Sequence, residues 1–229
     1  MPTAVKAGWI LRRPGEFLHP ADHHAQHLNA VTSQHVGDIQ VESPNVQAMA
    51  FEPSGAKMYA DLADLNKVAV TDREKRTVVA TWPTTPECQR PYALALDSAH
   101  HRLFVGCRMY AAQAEWWQPG RMLVMNTDSG RTIVTLDAGG GADEMFFDPA
   151  SQRIYSQGYE GIANIWKELD PDHYEPIGAI QGGVHGKTSL LVPELNRYYL
   201  AVSEHQDVIR GIQGGKFEEA YIEVYEVEP

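Results

Sequence analysis

YALALDSAHHRLFVG, residues 92–106, carries the pattern that decides the fold, because the chain writes it four times. The other copies are VQAMAFEPSGAKMYA (46–60), DEMFFDPASQRIYSQ (143–157) and KTSLLVPELNRYYLA (187–201). Each is an apolar alternating segment, a turn, a basic residue and then an aromatic-bearing strand. In register, Glu52, Asp97, Asp148 and Val192 share one column. Five residues on stand Lys57, Arg102, Arg153 and Arg197, and two further on Tyr59, Phe104, Tyr155 and Tyr199. The column spacings of 45, 51 and 44 residues match the roughly 40–50 residues of a four-stranded propeller blade.

Outward from each copy the β pattern continues. KVAVTDREKRTVVATW (67–82), RMLVMNTDSGRTIVTL (121–136) and IANIWKELDPDHYEPIGAI (162–180) each hold two short strands around a polar turn. The fourth copy has only the first of these, YIEVYEV (221–227). HVGDIQVE (35–42) precedes the first repeat and is expected to supply the missing outer strand, pairing beside 221–227 to protect the exposed edge. The expected fold is therefore all-β, a β-propeller of four to five blades or an open segment of a larger one. Residues 35–229 form the repeats and 1–34 an irregular leader.

The phrases ALDSAHHRLFVGCR (95–108), LVMNTDSGRTIVTL (123–136) and MFFDPASQRIY (145–155) resemble the YVTN-repeat, lactonase-like bacterial β-propellers. That resemblance covers about residues 35–229 and implies a binding or scaffold protein, often exported, with lactone hydrolases among its relatives. Members usually have seven blades, which at this repeat length needs about 300 residues, so the chain has too few for the full ring. Either the ring is small, or it is incomplete and open, or it closes with a second copy. The opening residues, Met1 to Trp9, are too short in apolar character for a signal peptide.

The bulk numbers narrow the partners. Hydrophobic residues make up 43% and charged residues 21%, enough for a real core. A net charge of −11, from 30 acidic against 19 basic residues, disfavours non-specific attraction to nucleic acid or anionic lipid. No apolar run approaches the ~20 residues needed to cross a bilayer. Two cysteines, Cys88 and Cys107, exclude a four-cysteine zinc site. The hairpin register brings them close to one another at the mouth of the channel, within reach of a disulfide if the Cα atoms lie within about 7 Å. His23 and His27 stand four apart, a spacing metals use on a helix, but no HExxH accompanies them and no metal site is assigned.

In a propeller the innermost strand of each blade starts at one face of the ring. Seven residues before the shared column stand Asn45, Arg90, Gly141 and His185, and five before it Gln47, Tyr92, Asp143 and Lys187. Equal offsets place these at equal heights, so Arg90, Tyr92, Asp143, His185 and Lys187 are expected to converge on one opening, with Asp143 and Lys187 paired. The next columns, Met49, Leu94, Met145 and Ser189 and then Phe51, Leu96, Phe147 and Leu191, make the channel apolar with depth. The loops at 109–120, with Tyr110, Trp116 and Trp117, and at 204–219, with Gly211, Gly214 and Gly215, roof the same face.

No complete catalytic motif is present: there is no GxSxG, Ser189 has no evident base, and neither Gly139–Gly141 nor Gly186-Lys187-Thr188 completes a phosphate loop. No motif calls for a cofactor. The expected function is binding of a small polar ligand or protein partner through Arg90, Tyr92, Asp143, His185, Lys187, Trp116 and Trp117. The alternative is a metal-assisted lactonase or related hydrolase drawing on Asp64, Asp143, Glu144, His185 and Glu204.

Overall fold

A computed structural model describes residues 24–28, 35–109, 120–206 and 217–228. Its first blade is β3 (Met49–Phe51), β4 (Lys57–Leu62), β5 (Lys67–Asp72) and β6 (Thr77–Pro83), preceded by a hairpin of β1 (His24–Leu28) and β2 (His35–Gln40). The second is β7 (Gln89–Asp97), β8 (Arg102–Met109), β9 (Gly120–Asn126) and β10 (Thr132–Ala138). The third is β11 (Glu144–Asp148), β12 (Arg153–Gln157), β13 (Ile162–Asp170) and β14 (His173–Gln181). The fourth has three strands, β15 (Gly186–Val192), β16 (Arg197–Val202) and β19 (Tyr221–Glu226), with the short β17 (His205–Gln206) and β18 (Phe217–Glu218) paired in the excursion between the last two. Each blade is an antiparallel meander, as in a β-propeller. No helix among the described residues is long and apolar enough to cross a membrane.

The shared columns each have a physical job. Asp97 Oδ1 accepts the amides of Ala99 and His100 at 3.1 and 3.4 Å, and Asp148 Oδ1 accepts that of Ala150 at 3.1 Å, closing the first turn of their blades. Glu52 does the same one atom further out, accepting the Lys57 amide at 3.3 Å. Where the fourth copy has Val192, a 3-10 turn at Pro193–Leu195 closes the hairpin instead. The basic residue that follows reaches across to the next blade. Lys57 donates to the Thr127 carbonyl, Arg102 to the Pro171 carbonyl and the Asp172 carboxylate, and Arg153 to the Glu228 carbonyl.

The aromatic column faces the same neighbour. Tyr59, Phe104 and Tyr155 are fully buried, with Phe104 against Phe147 and Tyr174 at centroid distances of 5.4 and 5.8 Å and Tyr155 stacked on Tyr198 at 5.9 Å. Alternation along each strand sends successive side chains to opposite neighbours. Leu103, Val105, Leu123 and Met125 pack back on Tyr59, Val68 and Val70 of the first blade. Phe104, Met122 and Val124 pack forward on Met145, Ile154 and Trp166 of the third. Tyr155 and Ala163 meet Tyr198, Leu200 and Val202. Each such side chain contributes about 1.5–3 kcal/mol on burial. Among the described residues no apolar cluster joins the fourth blade to the first. Cys88 and Cys107 are disulfide-bonded, Cα to Cα 5.3 Å, inside the first seam.

Two expectations are corrected. Residues 35–40 form a strand, but it pairs with β1, which itself lies within the stretch read as an irregular leader, and not with β19. Ile39 is fully buried and Val41 packs with Val46 on Leu62 and Ala69, so this segment finds its burial on the adjacent first blade and not across the array. Five side chains of the deeper inner-strand columns pack between blades and not into a channel. Leu94 and Leu96 lie in the first seam, Met145 and Phe147 in the second and Leu191 in the third. Blades stack face to face, so the pleat of an inner strand points at neighbouring blades.

Candidate functional site

The face where inner strands begin gathers charge. Arg108, the penultimate residue of β8, lies with its guanidinium 3.3 Å from the Tyr92 ring centroid and donates to Asp143 Oδ1. Its Nε also reaches the Ala142 carbonyl at 3.4 Å. Lys187 approaches Asp143 Oδ2 at 4.0 Å, so one carboxylate bridges cations from the second and fourth blades. Lys187 also sits 5.6 Å from the Tyr159 ring centroid, and the Tyr159 hydroxyl meets His185 Nδ1 at 2.8 Å. Arg90 faces the first blade, 3.7 Å from Asp64, which accepts from Asn45 Nδ2 at 3.2 Å.

Of the expected residues, Tyr92, Asp143, Lys187 and His185 thus stand in one run of contacts, while Arg90 is turned to Asp64. The run depends on Arg108 and Tyr159, which the inner-strand columns miss. Both lie eleven residues after the shared column, Arg108 near the end of β8 and Tyr159 in the turn after β12, so extending the register forward past the second strand would have found them. Glu204 is exposed at the start of the long excursion. Tyr110, Trp116, Trp117, Gly211, Gly214, Gly215 and His23 fall outside the described residues, as does the side chain of His27.

Two acids here have unusual acidity. Asp61, fully buried on β4, has its carboxyl pushed up to about 7 by burial, against the pull of the Ala48 and Gln47 amides on Oδ1 at 2.9 and 2.7 Å. Its Oδ2 is buried without a hydrogen-bond partner. Glu144 is raised to about 8 by burial and by the neighbouring Asp143 charge. Burial likewise raises the Tyr92 phenol. Arg90 and His185, at the same repeat position, hold left-handed backbone at φ 51° and 68°, where the third blade has Gly141 at φ 67°. That conformation costs a side-chain-bearing residue about 1–2 kcal/mol and is retained where the surrounding structure enforces it.

No family model and no curated protein matches the sequence. A chain of the mitotic checkpoint complex is similar in structure, with a TM-score of 0.61 and 19% identity over 75% of this chain and 50% of that one. A chain of Kuenenia stuttgartiensis hydrazine synthase is similar at a TM-score of 0.67 and 12% identity, over 90% of this chain and 57% of that one. Both likenesses are propeller-type and, at these identities, concern the fold alone. The chain spans about half the length of each.

Proposed function

We propose that this chain is a binding module of propeller architecture, holding a small polar ligand or a protein segment at the face built by Tyr92, Arg108, Asp143, Lys187, Tyr159 and His185. The observation that carries it is the Asp143 carboxylate bridging Arg108 and Lys187 across three blades, flanked by two aromatic rings. Such a cluster offers donors, acceptors and π faces within one small area. A protein partner gains support from the checkpoint chain, which belongs to a multi-protein complex. The repeat phrases are similar to those of the YVTN-type, lactonase-like group.

Metal-assisted lactone hydrolysis is the second reading, favoured by Glu144, whose carboxyl near 8 has the acidity of a working acid–base group. Against it, Asp143 is committed to two cations and Asp64 to Arg90 and Asn45. The deciding experiment is a calorimetric and thermal-shift screen of small carboxylates, zwitterions and lactones on the wild type, Asp143→Ala and Arg108→Ala. Binding lost at least tenfold in both variants, with lactones unturned, supports the module. Lactone turnover abolished by Glu144→Gln supports the hydrolase. Ligand binding untouched by either mouth substitution removes this face as the site.

A further inference from the structure

On the opposite face, at the seam of the second and third blades, Asp97, His100 and Glu168 meet. His100 Nδ1 is 2.5 Å from Asp97 Oδ2 and 3.4 Å from Glu168 Oε1, and one ligand atom from each of the three lies within 4.8 Å of the others. Asp97 Oδ1 is occupied by the turn amides of Ala99 and His100, which leaves Oδ2 directed at the cluster. The Glu168 side chain is 0% exposed, and neither of its carboxylate oxygens has a hydrogen-bond partner. A buried carboxylate left so, with the Asp97 carboxylate beside it, is costly unless a proton or a cation satisfies it. The guanidinium closest in sequence, Arg102, is spent on the Pro171, His100 and His101 carbonyls and on Asp172.

The fold does not need an acid at this place. Asn126, Lys167 and Glu226 are the residues paired with the basic column of the adjoining strand, and the residue after each is Thr127, Glu168 and Val227. Two seams therefore carry a neutral side chain where the second carries Glu168. We propose that Asp97, His100 and Glu168 are three ligands of a divalent cation that clamps the second blade to the third. One imidazole nitrogen and two carboxylate oxygens suit zinc, with manganese the next fit, and fall short of the six to eight oxygens that calcium takes. His100, with its side chain 40% exposed, leaves a path from solvent and room for a water as fourth ligand.

The test is titration of the chelator-treated full chain with zinc and, separately, manganese, read by calorimetry and by melting temperature. The wild type is expected to bind one equivalent through this site and to melt about 5 °C higher or more when metal exceeds Kd a hundredfold. Glu168→Gln and His100→Ala are each expected to weaken that equivalent at least tenfold. Glu168→Gln should fold without metal at least as well as the wild type, since it places a neutral amide where the carboxylate is buried, so loss of binding there is not loss of fold. Binding by the histidine pair near the N-terminus, which stands at a spacing metals use, is controlled for with His23→Ala/His27→Ala. No stoichiometric equivalent of either metal, or an equivalent that survives Glu168→Gln and His100→Ala and disappears with the histidine pair, overturns the proposal.

Discussion

The seam between the second and third blades and the outer face of the fourth blade are built from the same repeat positions and end in opposite environments. In the seam Phe104 is fully buried between Phe147 and Tyr174, and Arg102 crosses to Asp172 at 2.6 Å. On the fourth blade the equivalent Tyr199 is half-buried, and Arg197 turns back to Glu226 of its own sheet at 3.3 Å. Beside Tyr199, Ile222 and Val224 are 67% and 57% exposed, on a sheet that has three strands among the described residues. The basic and aromatic columns thus describe an attachment to the following blade. Where none follows among the described residues, the same chemistry is left at the surface as an apolar patch.

The largest expected difference is in packing. Phe104→Ala should cost about 3–5 kcal/mol, whereas Tyr199→Ala should cost below about 1 kcal/mol, measured by urea unfolding. Equal losses would break the comparison and mean that the fourth face is covered in solution.

A second effect sharpens what a closed seam does to charge. The Asp61 carboxyl is raised to about 7 in the folded chain, above the ordinary aspartate value. Its stabilising contribution is therefore complete below about pH 4 and is lost as pH rises through 7. Asp61→Asn keeps the acceptor for the Gln47 and Ala48 amides and cannot ionise. Its stability relative to the wild type should grow by about 2 kcal/mol between pH 5 and pH 8. A difference that stays flat over that range would show that Asp61 is solvated.

The smallest effect concerns the cross-blade hydrogen bonds. Arg102→Ala should destabilise by about 1.5 kcal/mol, and Arg197→Ala by less than about 0.5 kcal/mol, because the latter loses only exposed contacts within its own blade, to Glu226 and the Leu195 and Asn196 carbonyls. A loss at Arg197 as large as that at Arg102 would place a further acceptor against the fourth blade.

Strands, turns, the four repeats and the nearness of Cys88 to Cys107 were legible in the residues, because each rests on spacing along the chain. Period-two alternation assigns faces, Asp97 and Asp148 close turns with their own neighbours, and a hairpin register fixes who lies opposite whom. The same register put Tyr92, Asp143 and Lys187 in one column, and contacts through Arg108 link the three. Other facts depend on contacts between residues far apart in sequence, and no spacing encodes those. The aromatic column reads identically in Phe104 and Tyr199, yet only a neighbouring blade decides whether it is core or surface. Ile39 alternates as well for one sheet edge as for another, and its burial beside the first blade was settled by which apolar surface lay within reach. Glu168 has the look of a solvated strand residue until the third blade docks and buries it against Asp97 and His100. Local geometry wrote the repeat, and the stacking of blades gave each copy its environment.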